Sequence, residues 1–164
     1  MQRPALVLLI AGAGLLLASW PVPGVELWAA GRPVAWLALK EGERLELTWV
    51  HSVSGIPVRE VFRYQGGTLY FEETHNPWFA AGLGEVPGRG RVVAEAGHAV
   101  AVVGIHEPAL GFVFRLGAPE IDHTLWYRGR PYRLSRCHPH ERFSWKKVFR
   151  PWLLAQFLTK EPCL

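Results

Sequence analysis

The chain has 164 residues, 49% hydrophobic and 20% charged, with a formal net charge of +4. That balance suits one globular domain with something appended to it. The basic excess is mild, and no stacked basic and aromatic pattern of the RNA-binding kind accompanies it, which argues against nucleic acid as a partner and leaves an anionic membrane surface as the better match. Eight Trp and eight Phe can fill a sizeable core, while thirteen Pro and seventeen Gly speak against long helices.

Residues 1–24 give the clearest signal. No charged residue occurs from Pro4 to Val25, and a spanning helix needs roughly 20 apolar residues. A secretory signal is the alternative, but Trp20, Pro21 and Pro23 make a poor cleavage region. No Cys follows the run, which excludes a bacterial lipoprotein anchor. The expectation is an uncleaved single-pass anchor in the inner membrane, with Arg3 on the cytoplasmic side and Trp20 at the interface. Residues 25–142 then form an extracytoplasmic domain.

That domain reads as all-β. Val34–Leu39 is an expected strand, and Lys40–Glu43 a turn. Three alternating runs follow: Glu43–His51, Val58–Tyr64 and Thr68–His75. Residues 76–90 form a Gly/Pro-rich loop whose Trp78, Phe79 and Leu83 predict a lid that packs down. Arg91–Glu95 pairs with His98–Ile105 across Ala96-Gly97. Leu110–Leu116 is a further strand, and His123–Tyr127 pairs with Tyr132–Arg136. About nine short strands at this spacing predict an antiparallel β-sandwich or a partly open barrel.

The three central runs carry the candidate site. Centring one turn on Gly55 and Ile56 sets Trp49 against Phe62 and His51 against Glu60. Centring the next on Gly66-Gly67 sets Tyr64 against Leu69, Phe62 against Phe71, Glu60 against Glu73 and Val58 against His75. His51, Glu60, Glu73 and His75 then form a polar patch on an apolar face, near Ser52. Such groups must pair, share protons or hold a cation. Imidazole nitrogen and carboxylate oxygen suit a divalent metal ion; a His–Glu ion pair beside a protonated second Glu is the plainer solution. Ser52 is not activated by His51, because adjacent strand residues point to opposite faces. No phosphate loop, nucleophile elbow or zinc-protease pair is present. His138-Pro-His140 is a weak metal motif, and His98, His106 and His123 receive no role.

Residues 143–164 form a basic aromatic tail. Trp145, Val148, Phe149 and Trp152 fall at helical spacing with Lys146, Lys147 and Arg150 interleaved. This predicts a short helix, lying on the lipid bilayer or packed on the sandwich. Cys137 and Cys163 can form one disulfide in an oxidising compartment, or remain two thiols.

His51-Ser-Val53, then Pro57-Val58 and Glu60, then Ala81-Gly-Leu-Gly84 resemble the short motifs of the small extracytoplasmic family called domain of unknown function 1850. The N-terminal apolar segment and His123-Thr-Leu125 fit as well, so the resemblance covers roughly residues 5–136. Ser54 and Gly84 depart from it, where an acidic residue and Pro are the pattern. The resemblance implies a setting beside TRAP-type solute transporters of the TAXI class, with the membrane subunit or the solute-binding protein as partner. It implies no activity.

Three functions follow as expectations: a non-enzymatic accessory or binding module of such an uptake system; a metal-dependent enzyme using His51, Glu60, Glu73 and His75; and a ligand-free structural envelope protein.

Overall fold

The computed structural model describes residues 19–76, 90–94 and 100–151. Among them, eleven strands form two antiparallel sheets. In chain order the strands are β1 (Pro21–Ala29), β2 (Arg32–Ala38), β3 (Arg44–Val50), β4 (Pro57–Gln65), β5 (Thr68–Asn76), β6 (Arg91–Ala94), β7 (Val100–Pro108), β8 (Val113–Arg115), β9 (Thr124–Tyr127), β10 (Arg130–Arg133) and β11 (Arg142–Pro151). One sheet has the order β2-β1-β11-β8, the other β10-β9-β3-β4-β5-β7-β6. The expected all-β sandwich is therefore present.

The core lies between the two inner faces. Val25, Leu27, Leu37, Phe143 and Trp145 come from the smaller sheet; Leu45, Leu47, Phe62, Tyr64, Leu69 and Leu125 come from the larger. Trp145 meets Phe62 edge-on, ring centroids 4.7 Å apart, a favoured aromatic geometry. Its Nε1 donates to the Ala109 carbonyl at 2.5 Å, so the indole is buried without an orphaned donor.

Three elements depart from the sequence expectation. Pro21–Gly24, placed in the anchor, open β1. The tail residues up to Pro151, expected as a helix, form β11, which pairs with β1 from Pro21↔Pro151 to Ala29↔Phe143. The helical spacing of Trp145, Val148 and Phe149 coexists with a period of two, in which Phe143 and Trp145 point inward; tertiary pairing selected the latter. The prolines of β1 are tolerated because β2 pairs only with Gly24–Ala29, leaving Pro21 and Pro23 at the strand's end. Gly24 is required by packing: a Cβ there would lie 2.5 Å from the Leu37 carbonyl oxygen and 2.7 Å from the Trp36 indole. The expected strand through Arg136 stops at Arg133 and continues as a single helical turn, Leu134–Cys137.

The sandwich has two distinct ends. At the basal end the chain enters β1 and leaves β11, beside the turns at 39–43, 66–67 and 128–129. At the distal end lie the loop 51–56 and the start of β7. Among the described residues no helix is long and apolar enough to cross a membrane. Residues 1–18 and 152–164, on which the anchor and the remainder of the tail were expected, lie outside the described residues.

Candidate functional site

The first hairpin, β3–β4, pairs Leu45 with Phe62, Leu47 with Glu60 and Trp49 with Val58. His51 does not face Glu60, and Trp49 does not face Phe62. The reason is the size of the connection. Val50 pairs with Pro57, and residues 51–56 close their own loop: His51 N–H donates to the Ile56 carbonyl at 2.8 Å, and Gly55 N–H to the His51 carbonyl at 2.9 Å. The His51 ring serves this loop too, its Nδ1 accepting from Val53 N–H at 3.4 Å and Ser54 N–H at 3.3 Å. Ser52 is exposed. His51 is thus a loop-holding residue.

The second hairpin, β4–β5, begins in the expected register. Gly66 and Gly67 take φ of 56° and 77°, the left-handed pair that a two-residue hairpin turn demands. Tyr64 pairs with Leu69 and Phe62 with Phe71. Then one extra residue, Glu72, enters β5. Beyond it Val61 pairs with Glu73, Glu60 with Thr74, and Arg59 with His75. A one-residue slip sends every later side chain to the other face.

Glu73 and His75 therefore lie on the outer face. Arg44 Nη2 donates to Glu73 Oε1 at 2.7 Å, and His75 Nε2 lies 3.1 Å from Glu73 Oε2. Partial burial raises the Glu73 pKa, but the His75 hydrogen bond and the Arg44 charge outweigh it and hold the group below its usual value. The expected four-residue centre of His51, Glu60, Glu73 and His75 is not assembled. Among the described residues no three His, Cys, Asp or Glu side chains are grouped to hold a metal ion.

Glu60 stays on the inner face, and it is there that polar groups gather. Val58 and Phe62, buried on the same face, flank it along β4. Thr74 faces it across the ladder, with Cβ atoms about 5 Å apart. Thr74 is 5% exposed, and its Oγ1 has no hydrogen-bond partner. Asn76, also buried, follows two residues later on the same face of β5. Among the described residues the Glu60 carboxyl makes no hydrogen bond or ion pair, and burial alone pushes its pKa up to about 7. Near neutral pH this carboxyl is divided between a neutral form that donates and a charged form that only accepts.

Trp49, a diagonal neighbour of Glu60, stacks on His123 at 5.7 Å between ring centroids. Burial pushes the His123 pKa down to about 4. Its Nδ1 accepts from Gly117 N–H at 3.2 Å and from Ser135 Oγ at 3.0 Å, which assigns the ring proton to Nε2. Sequence reasoning gave Thr74, Asn76 and His123 no role. The alternation of β5 could have found Thr74 only if the bulge at Glu72 had been known; a single isolated His carries no signal at all.

Outside this region, His106 Nδ1 lies 2.8 Å from Glu72 Oε1 and its ring stacks on Tyr70 at 4.1 Å. His138 is buried with Nδ1 3.2 Å from Glu141 Oε2, whereas His140 is exposed. Cys137 is disulfide-bonded; Cys163 lies outside the described residues. So do the expected lid with Trp78, Phe79 and Leu83, the motif at 81–84, and His98.

A family model described as a domain of unknown function (DUF1850) matches residues 45–134, from β3 to the helical turn after β10. No curated protein and no solved structure matches the chain.

Proposed function

We propose a function from one premise: this chain belongs to the family called domain of unknown function 1850. The reading is a membrane-tethered β-domain outside the cytoplasm that acts, without catalysis, as an accessory or binding module of a TRAP-type uptake system of the TAXI class. The observation that carries the binding role is the half-buried Glu60 beside buried Thr74 and Asn76 toward the distal end of the sandwich, where Glu60 and Thr74 leave hydrogen-bonding capacity unused. Buried polar atoms without partners cost free energy, on the order of 1–3 kcal/mol each, and a ligand or partner backbone that supplies the missing bonds recovers it.

The tethered, extracytoplasmic setting draws support from two features. The uncharged run from Pro4 to Val25 leads directly into the basal end, so a tether there leaves the distal end free to meet a partner. Cys137 is disulfide-bonded, as is usual in oxidising compartments.

The test is affinity capture of the full chain from detergent-solubilised membranes of a strain encoding the transporter. The reading predicts recovery of the transporter membrane subunit or its solute-binding protein, reduced by Glu60→Lys. Capture of neither, with unchanged uptake in a deletion strain, overturns it.

A further inference from the structure

We infer that the basal end of the sandwich is a lipid-contacting surface that rests on anionic phospholipid headgroups. Pairing of Pro21 with Pro151 brings the start of β1 and the end of β11 together. Among the described residues, two large apolar side chains are left in solvent there, Trp20 at 70% and Phe149 at 60% exposure. Neither packs on the core cluster. Aromatic rings of this kind favour the boundary between headgroup and acyl chain.

Among the described residues, the charges around them without an ion-pair partner are mostly basic. Lys147 holds its Nζ 5.4 Å from the Phe149 ring centroid and reaches the tip of the β4–β5 hairpin, where a Cβ on Gly67 would lie 2.7 Å from it. Lys40 follows Leu39, whose N–H donates to the Pro23 carbonyl opposite Phe149. Arg130 opens β10 at the same end. All three are exposed, and none has an acidic partner among the described residues. Among the described acids nearby, Glu43 accepts from Arg128 Nε at 2.5 Å and Glu26 is paired with Arg150, while Glu41 accepts only from the Gly66 backbone N–H at 2.9 Å and keeps its charge. Lys40, Lys147 and Arg130 outnumber that one acid, so the unpaired charge is cationic in excess, beside exposed aromatic rings, at the end the uncharged N-terminal run enters. That combination fits an anionic bilayer surface. At the opposite end the most exposed large apolar residue among the described ones is Val53, at 89%.

This inference rests on the tethered reading above, and the two can fail separately. The full chain is reconstituted into vesicles of phosphatidylglycerol or of phosphatidylcholine and footprinted with hydroxyl radicals. In phosphatidylglycerol, Phe149 should lose reactivity by about fivefold relative to detergent micelles, the factor that one kcal/mol represents, while Val53 keeps its own. Phe149 is the decisive position, because Trp20 adjoins the apolar run and would be covered by a tether alone. Lys40→Glu with Lys147→Glu should restore Phe149 reactivity. Undiminished reactivity of Phe149 in phosphatidylglycerol overturns the inference, and equal protection in phosphatidylcholine removes the role of the basic groups. Alkaline extraction of the same vesicles reports on the tether independently: a chain that resists extraction with Phe149 exposed keeps the tether and loses the surface.

Discussion

Glu60 on β4 and Glu73 on β5 belong to one hairpin, and the bulge at Glu72 sends them to opposite faces of the larger sheet. Glu73 meets Arg44 and His75, and its charged form is favoured. Glu60 meets Val58, Phe62 and an unpartnered threonine hydroxyl, and its neutral form is favoured. The same side chain, six residues from the Gly66-Gly67 turn on either strand, becomes either an outer-face ion-pair member or a half-buried, unpaired titrating group. The lesson is that one inserted residue decides the electrostatics of everything beyond it on that strand.

The comparison breaks most visibly when a permanent charge is forced onto each site. Glu60→Lys places an unpaired ammonium among apolar side chains, and we expect a loss of about 4 kcal/mol in urea unfolding at pH 7. A loss below 1 kcal/mol would mean that Glu60 reaches water freely.

A smaller effect, about 3 kcal/mol, is expected from pH alone. Glu60 has an ordinary value of 4.5 in the unfolded chain and about 7 when folded. Below pH 4.5 both states are protonated and burial carries no ionic cost. As pH rises from there to about 7, the unfolded chain ionises first, so stability falls, and the loss is complete above that value. Glu60→Gln should abolish this decline. Glu73 has the opposite sign: its contribution is present above its unfolded value and lost as pH falls through its lowered folded one.

The smallest effect sharpens the contrast from the other side. Glu73→Gln leaves Arg44 and His75 without their acid, and an exposed ion pair of this kind is worth no more than about 1 kcal/mol. The expected change in chemical-denaturation midpoint at pH 7 is correspondingly slight, and it should shrink further in high salt. A loss as large as that of Glu60→Lys would place Glu73 in the interior.

Much of this was legible in the residues. Alternation placed Leu45, Leu47, Trp49, Glu60 and Phe62 on one face, and Gly66-Gly67 fixed the second turn, because period and positive φ are written locally. The register that alternation predicts for the first hairpin differs from the observed one by four residues. An even slip preserves faces, so Glu60 kept its side while its partner changed from His51 to Leu47. Hydrogen bonds inside residues 51–56 set that register, and Ser54-Gly55-Ile56-Pro57 resembles a tighter turn than the one it makes. The bulge at Glu72 leaves no mark on the hydrophobic pattern of Leu69 and Phe71. Strands β1 and β11 depend on each other from opposite ends of the chain, a pairing that no window of neighbouring residues contains.

The most direct measurement is a carboxyl-carbon NMR titration of the full chain, with Glu60→Gln used to assign the resonance. A half-buried, unpaired Glu60 predicts a midpoint near 7, well above that of Glu73, whose charged form is favoured. A midpoint at the ordinary 4.5 would contradict the account, because it would place the Glu60 carboxyl in water or beside a cation.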